Sequence, residues 1–253
     1  MKHRLVSCFL SLLPFFFVLF SGCGGNTNTT GNPGNPAQTT NLRVVNGNGG
    51  ITSVSVLVNG TSAANNVTFQ SQTTYTSVPA GQVQLTINGL LKPPNTSAPE
   101  NLPANANNTL VISGCGTIPG GFTIFGNFSV VTDDLTPPAA GNFKLRIVDG
   151  AIATAGFNVF VLPAGAPPSG TPTVSEMTMN QNSPTPYMSL AAGTYHIVVT
   201  QIGLNTILFD SGQIDFGAGQ NRTYYIFQNG APLSGTAFSC SQDFKPVLVA
   251  DLN

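Results

Sequence analysis

Few residues of this chain have side chains that could do chemistry. Beyond residue 23 the 253-residue sequence holds one histidine, His196 in "TYHIVV", and its glutamates are Glu100 and Glu176. Nucleophilic catalysis needs a nucleophile, a base and a group that orients the base. His196 sits between Tyr195 and Ile197 in an alternating stretch, which predicts a solvated side chain on the more exposed face of a strand. No GxSxG elbow and no CxxC occurs, and His3 lies in the N-terminal segment, so neither an activated serine nor a zinc site is expected. Glu100 and Glu176 stand in Pro- or Ser-rich loop sequence far apart in the chain, unsuited to the paired carboxylates of a glycosidase. Asp133, Asp134 and Asp149 could together offer oxygen ligands to Ca²⁺ at a domain junction. The alternative is that each ends a strand or caps a turn, and this is the expectation. The sequence therefore predicts no enzyme, no metal and no cofactor.

Cysteines and tyrosines are the remaining candidates. Cys115 and Cys240 are compatible with a disulfide if the chain is exported, closing a loop of 125 residues (240 − 115). Chain-entropy arithmetic sets its contribution at ~5 kcal/mol as an upper figure. Bonded and free forms both stay open. The chain has no Trp and five Tyr. Tyr75 and Tyr187 occupy matching places, which favours a shared core or corner role over a sugar-stacking platform. Tyr224 and Tyr225 are adjacent, so alternation turns one of them outward. N-x-S/T triplets at Asn59, Asn66, Asn107 and Asn221 follow from the abundance of Asn and Thr.

The elements that position these residues repeat. "YTSVPAGQVQLTI" from Tyr75 returns as "YMSLAAGTYHIVV" from Tyr187. "LRVV" (42–45) matches "LRIV" (145–148), "VSVLVNG" (54–60) matches "FNVFVLPAG" (157–165), "NNTLVI" (107–112) matches "NRTYYI" (221–226), and "VVTDDL" (130–135) matches "VLVADL" (247–252). The spacing grows in order, from 103 residues between Leu42 and Leu145, through 112 between Tyr75 and Tyr187 and 114 between Thr109 and Thr223, to 117 between Asp134 and Asp251. Ordered matches with slowly growing spacing predict a duplication with insertions in loops. Within each copy the hydrophobic period is two: Val83, Leu85 and Ile87 alternate with Gln82, Gln84, Thr86 and Asn88. "PAG" and "AAG" supply turns, and no helical period appears after residue 23. About seven short strands in each copy of roughly 95–110 residues predict an all-β chain of two tandem immunoglobulin-like β-sandwich domains. The copies span residues 41–136 and 142–253, with a boundary at "TPPAAGN".

Residues 1–22 read as a signal peptide: Lys2 and Arg4 precede an apolar run from Leu5 to Phe20, too short for the ~20 residues that cross a bilayer. "LFSGC" (19–23) resembles the lipobox of bacterial lipoproteins, with Phe20 where Leu is usual. The resemblance implies lipidation of Cys23 with several acyl chains, palmitate among them, and thus a durable membrane anchor at ~0.8 kcal/mol per buried CH₂. Gly24 in place of an Asp implies the outer membrane. Residues 23–40 are then the lipidated cysteine and a flexible tether reaching roughly 20–25 Å.

Composition narrows the partners. Charged residues make up 7% of the chain, against roughly a quarter in ordinary domains. Without Lys2 and Arg4 the balance is six basic against nine acidic residues. Phosphate neutralisation requires clustered Lys and Arg, so nucleic acid is excluded as a partner.

The arrangement of "LRVVN", "VSVLVNG", "YTSVPAG" and their later equivalents resembles domain-of-unknown-function family 4397, found in tandem in bacterial surface lipoproteins. Ser55 and Asn158 stand where that family often has Asp, and "GNGGIT" (47–52) replaces a characteristic loop. The resemblance implies fold and location and no activity. The expectation is a non-catalytic lipoprotein of the cell envelope with a structural or adhesive role; a module binding an extracellular polysaccharide or protein is the alternative.

Overall fold

The computed structural model describes residues 38–252, apart from 90–95, 115, 119–121, 124–125, 152–155, 178–181, 205 and 233–239. Every regular element in that range is a strand. The first half comprises β1 (Thr39–Asn48), β2 (Ser53–Val58), β3 (Thr61–Thr68), β4 (Ser71–Gln72), β5 (Thr76–Pro79), β6 (Gly81–Asn88), β7 (Thr96–Leu102), β8 (Asn107–Gly114), β9 (Gly116–Ile118), β10 (Phe122–Thr123) and β11 (Gly126–Asp133). The second comprises β12 (Asn142–Asp149), β13 (Phe157–Pro163), β14 (Val174–Met177), β15 (Met188–Ala191), β16 (Gly193–Gln201), β17 (Ile207–Asp210), β18 (Ile214–Phe216), β19 (Asn221–Ile226), β20 (Gln228–Pro232), β21 (Cys240–Phe244) and β22 (Val247–Leu252).

Each half is a sandwich of two sheets. In the first, β11-β8-β1-β4 with β5 on β1 faces β3-β2-β6-β7; in the second, β15-β12-β19-β22 faces β14-β13-β16-β17 with β18 on β16. The pairing pattern repeats down to its parallel step: β1 runs parallel to β8 from Asn41↔Asn107 to Asn48↔Gly114, and β12 runs parallel to β19 from Lys144↔Asn221 to Asp149↔Ile226. Thr39 and Thr40, which composition groups with the tether, already pair with Pro79 and Val78.

Two kinds of sheet face explain the burial. β2 alternates between buried Val54, Val56, Val58 and half-exposed Ser53, Ser55, Leu57, as a strand does with one wet face. β1, β8, β12 and β19 are buried on both faces. Leu42, Val44, Leu110 and Ile112 fill the first core, and Leu145, Ile147, Tyr224 and Ile226 the second. The alternate residues Val45, Val111, Val131, Val148, Tyr225, Phe227 and Val249 form a third cluster. That cluster is a seam where the two halves pack sheet against sheet. Tyr225 and Phe227 stack in it at 5.8 Å. Phe227 reaches so close to both strands that a Cβ on Gly47 or Gly150 would lie 2.0 or 2.4 Å from its ring. The halves also share a small sheet, β10-β9-β20-β21, joined by the parallel pair β9 and β20.

Candidate functional site

Along the seam, alternation places polar residues beside the valines, and these converge on one buried cluster. Arg43 precedes Val44 on β1, and Arg146 holds the same place on β12. Both guanidinium groups are almost wholly shielded from solvent, as are the carboxylates they meet. From Arg43, Nε and Nη2 donate to Thr109 Oγ1 at 3.0 and 2.8 Å, and Nη2 also reaches Asp251 Oδ1 at 2.6 Å and Asp133 Oδ2 at 3.3 Å. Nη1 donates to the Ala250 carbonyl at 3.0 Å. Arg146 repeats the pattern from the other side: Nε donates to Thr223 Oγ1 at 2.8 Å, Nη1 to the Thr132 carbonyl at 2.9 Å, and Nη2 to Asp133 Oδ1.

Hydroxyls complete the carboxylates. Tyr75 and Thr109 each donate to Asp133 Oδ2 at 2.6 Å. Tyr187 donates to Asp251 Oδ2 at 2.9 Å, and Thr223 donates to the same oxygen. The Arg43 guanidinium lies 4.7 Å over the Tyr75 ring, and Arg146 lies 4.7 Å over Tyr187. Each arginine on the first strand of one half thus holds the last strand of the other, around an approximate two-fold relation. Two guanidinium groups and two carboxylates make the cluster neutral, with the charges satisfied in place, the condition under which ions tolerate burial. Burial acts to lower the pKa of Arg43, but the attraction of Asp133, together with Tyr225, Asp251 and Tyr75, outweighs it and the net shift is upward. Burial raises the Tyr75 and Tyr187 hydroxyls, and the neighbouring Asp133 and Asp251 carboxylates push them further in that direction. Both tyrosines are therefore neutral donors at any physiological pH.

The candidate calcium carboxylates go to separate partners. Asp133 belongs to the seam cluster. Asp134 accepts Lys144 Nζ at 2.8 Å and the Thr136 hydroxyl at 2.6 Å, and these hydrogen bonds lower its pKa to about 2. Asp149 is buried, accepts the Ala151 amide at 2.9 Å, and is raised to about 7 because burial disfavours its charge. Among the described residues, no three His, Cys, Asp or Glu side chains gather as a metal site.

His196 departs from expectation. It is 9% exposed, with Nδ1 3.2 Å from Asp210 Oδ1 and Nε2 2.9 Å from the Ala166 carbonyl. The segment after β13 crosses the outer face of β16 and covers the ring, which strand alternation alone does not reveal. Both ring nitrogens face acceptors. Glu100 and Glu176 lie on strands β7 and β14, in the outer sheets of different halves. Tyr224 and Tyr225 are both buried, because one faces the second core and the other the seam. Asn221 is fully buried and donates to the Asp134 and Thr136 carbonyls at 2.9 Å. Cys240 opens β21, whereas Cys23 and Cys115 lie outside the described residues.

Fold and cluster define an all-β body of two sandwiches joined by a buried ionic seam. Residues 40–160 match the model of DUF4397, a domain of unknown function, and the match supports that domain family for the stretch from β1 into β13, including Arg43, Asp133 and Arg146. No curated protein matches the chain.

Proposed function

We propose that this chain is a non-catalytic lipoprotein, attached through acylated Cys23 to the bacterial cell envelope at the outer membrane, where it displays a two-module β body in a structural or adhesive role. The second half is a second copy of the DUF4397 domain, a reading supported by its repeated parallel strand pair and its matching Arg, Thr and Tyr. The observation that carries the role is the seam: the paired arginines and aspartates of both halves hold the halves together, while "LFSGC" near the N-terminus supplies the cysteine for lipid attachment. The test is metabolic labelling with radioactive palmitate, followed by membrane fractionation and surface protease treatment. Label that is lost in Cys23→Ser, with the protein in the outer-membrane fraction, supports the reading; an unlabelled, freely released protein overturns it.

A binding role for an extracellular polysaccharide or protein is the second reading. It is favoured by a cavity of about 290 Å³ whose lining among the described residues is Gly50, Ile51, Thr52, Ser53 and Gly89, none of them charged. Such a lining suits an uncharged ligand held by backbone groups and hydroxyls. A glycan array probed with the purified protein, alongside a Thr52→Trp variant that fills the cavity, tests it.

A further inference from the structure

The strand directions set up two poles. β1 starts at Thr39, and β11 ends at Asp133 beside Asn107, at the starting end of β1 and β8. β22 ends at Leu252 beside Asn221, at the starting end of β12 and β19. Gly47 near the end of β1 and Gly150 just after β12 both pack on the Phe227 ring, so β1 and β12 point the same way. The described chain therefore enters and leaves at one pole. β15 ends beside Asn142 at that pole, and β16 then runs away from it to Gln201, which pairs with Phe157 at the far pole. The turn after β16 carries Leu204, 55% exposed, and is followed by Ile207, 50% exposed.

We infer that the body is built to carry tension between its tethered pole and its far pole, a mechanical function that rests on the anchored-display reading above. Tension that arrives through the N-terminal side and is resisted at the far pole pulls β1 along its own axis. β1 is an interior strand, held on one edge by eight register pairs to the parallel β8 and on the other by β4 and β5. Its hydrogen bonds, perpendicular or slanted to the pull, must then fail together rather than one after another. The load does not stay in the first half. Arg43 on β1 grips Asp251 and the Ala250 carbonyl on β22, and Arg146 on β12 grips Asp133 and the Thr132 carbonyl on β11. A pull directed from Thr39 to Leu252 has the opposite character, because both ends lie at one pole and β22 is the edge strand of its sheet. That pull peels β22 from β19 one pair at a time.

Single-molecule force spectroscopy on the full chain tests this without altering the seam. Clickable non-natural residues serve as handles, at Gln38 and Leu204 for the axial pull and at Gln38 and Leu252 for the transverse pull. Forced unfolding reads the unfolding barrier directly. The expected result is an axial rupture force several-fold above the transverse one at equal loading rate. Equal forces, or a weaker axial response, overturn the inference. Because neither measurement involves the lipid, that failure leaves the palmitate result standing, and loss of palmitate labelling leaves the anisotropy standing.

Discussion

Arg43 touches both carboxylates of the seam, whereas Arg146 touches one, so their removal is unequal in effect. Arg43→Gln leaves two buried carboxylates short of a counter-charge, a change that costs about 3–5 kcal/mol when one partner of a buried pair is lost. Denaturant unfolding should show a loss of this size for Arg43→Gln and a smaller one for Arg146→Gln. Combining Arg43→Gln with Asp251→Asn should cost less than the two single losses summed, because the residues share one network. An additive result would mean the pair is not coupled. Asp149 acts in the opposite sense from a paired carboxylate. Its folded pKa of about 7 lies above the ordinary 3.8 because burial disfavours the charge, so the folded protein retains a proton that the unfolded chain releases. Its contribution is greatest below roughly pH 4 and is lost as pH rises through about 7, with a ceiling on the order of 4 kcal/mol. Asp134, lowered to about 2 but largely exposed, contributes above its ordinary range and loses its small share only in strong acid. Stability measured from pH 4 to pH 8 should fall in the natural protein and stay flatter in Asp149→Asn; matching slopes would remove Asp149 as the cause.

At the scale of elements, the close approach of the seam strands depends on Gly47 and Gly150. A methyl group at either position meets the same Phe227 ring, and overpacking of this kind costs about 1–3 kcal/mol. Gly47→Ala should destabilise by that amount, and Phe227→Leu in the same chain should recover part of the loss; no recovery would place the strain elsewhere. The strands themselves were legible in the sequence wherever one face is wet. Val54, Val56 and Val58 on β2 and Val83, Leu85 and Ile87 on β6 are buried as their period of two requires. The seam was not legible, because a strand buried on both faces hides its second apolar set behind a polar-looking alternation. "LRVV" and "LRIV" each carry an arginine that would ordinarily mark the solvent side, yet here it marks the neighbour. One signal was present: in a chain with eight Lys and Arg in total, two stand at matching places in repeated apolar strands. The last strand was also misaligned by one residue. The counterpart of Asp251 is Asp133 and not Asp134, a separation of 118 residues rather than 117, because Val131 pairs with Thr109 as Val249 pairs with Thr223. His196 was misjudged for a different reason, since a covering loop is a long-range contact that strand alternation does not encode.

At the scale of the whole molecule, the repeat suggests two independent beads, while the packing joins them. The halves share seven seam side chains, a small sheet made from both, and arginines that cross in each direction. Opening the seam would expose Tyr225, Phe227 and their valines and strand two charge pairs in separated halves, so neither half can lose its partner at small cost. Thermal unfolding of the protein should therefore be a single transition whose calorimetric and van't Hoff enthalpies agree. In a chain carrying both Arg43→Met and Arg146→Met, the arginine contacts that cross are gone and two carboxylates are left without a counter-charge at the seam, while its apolar side chains and the shared sheet remain. Scanning calorimetry of that variant should resolve two transitions, one for each sandwich core. If the unaltered protein already melts in two steps, the seam does not couple the halves, and the path by which tension passes from β1 to the far pole is lost with it.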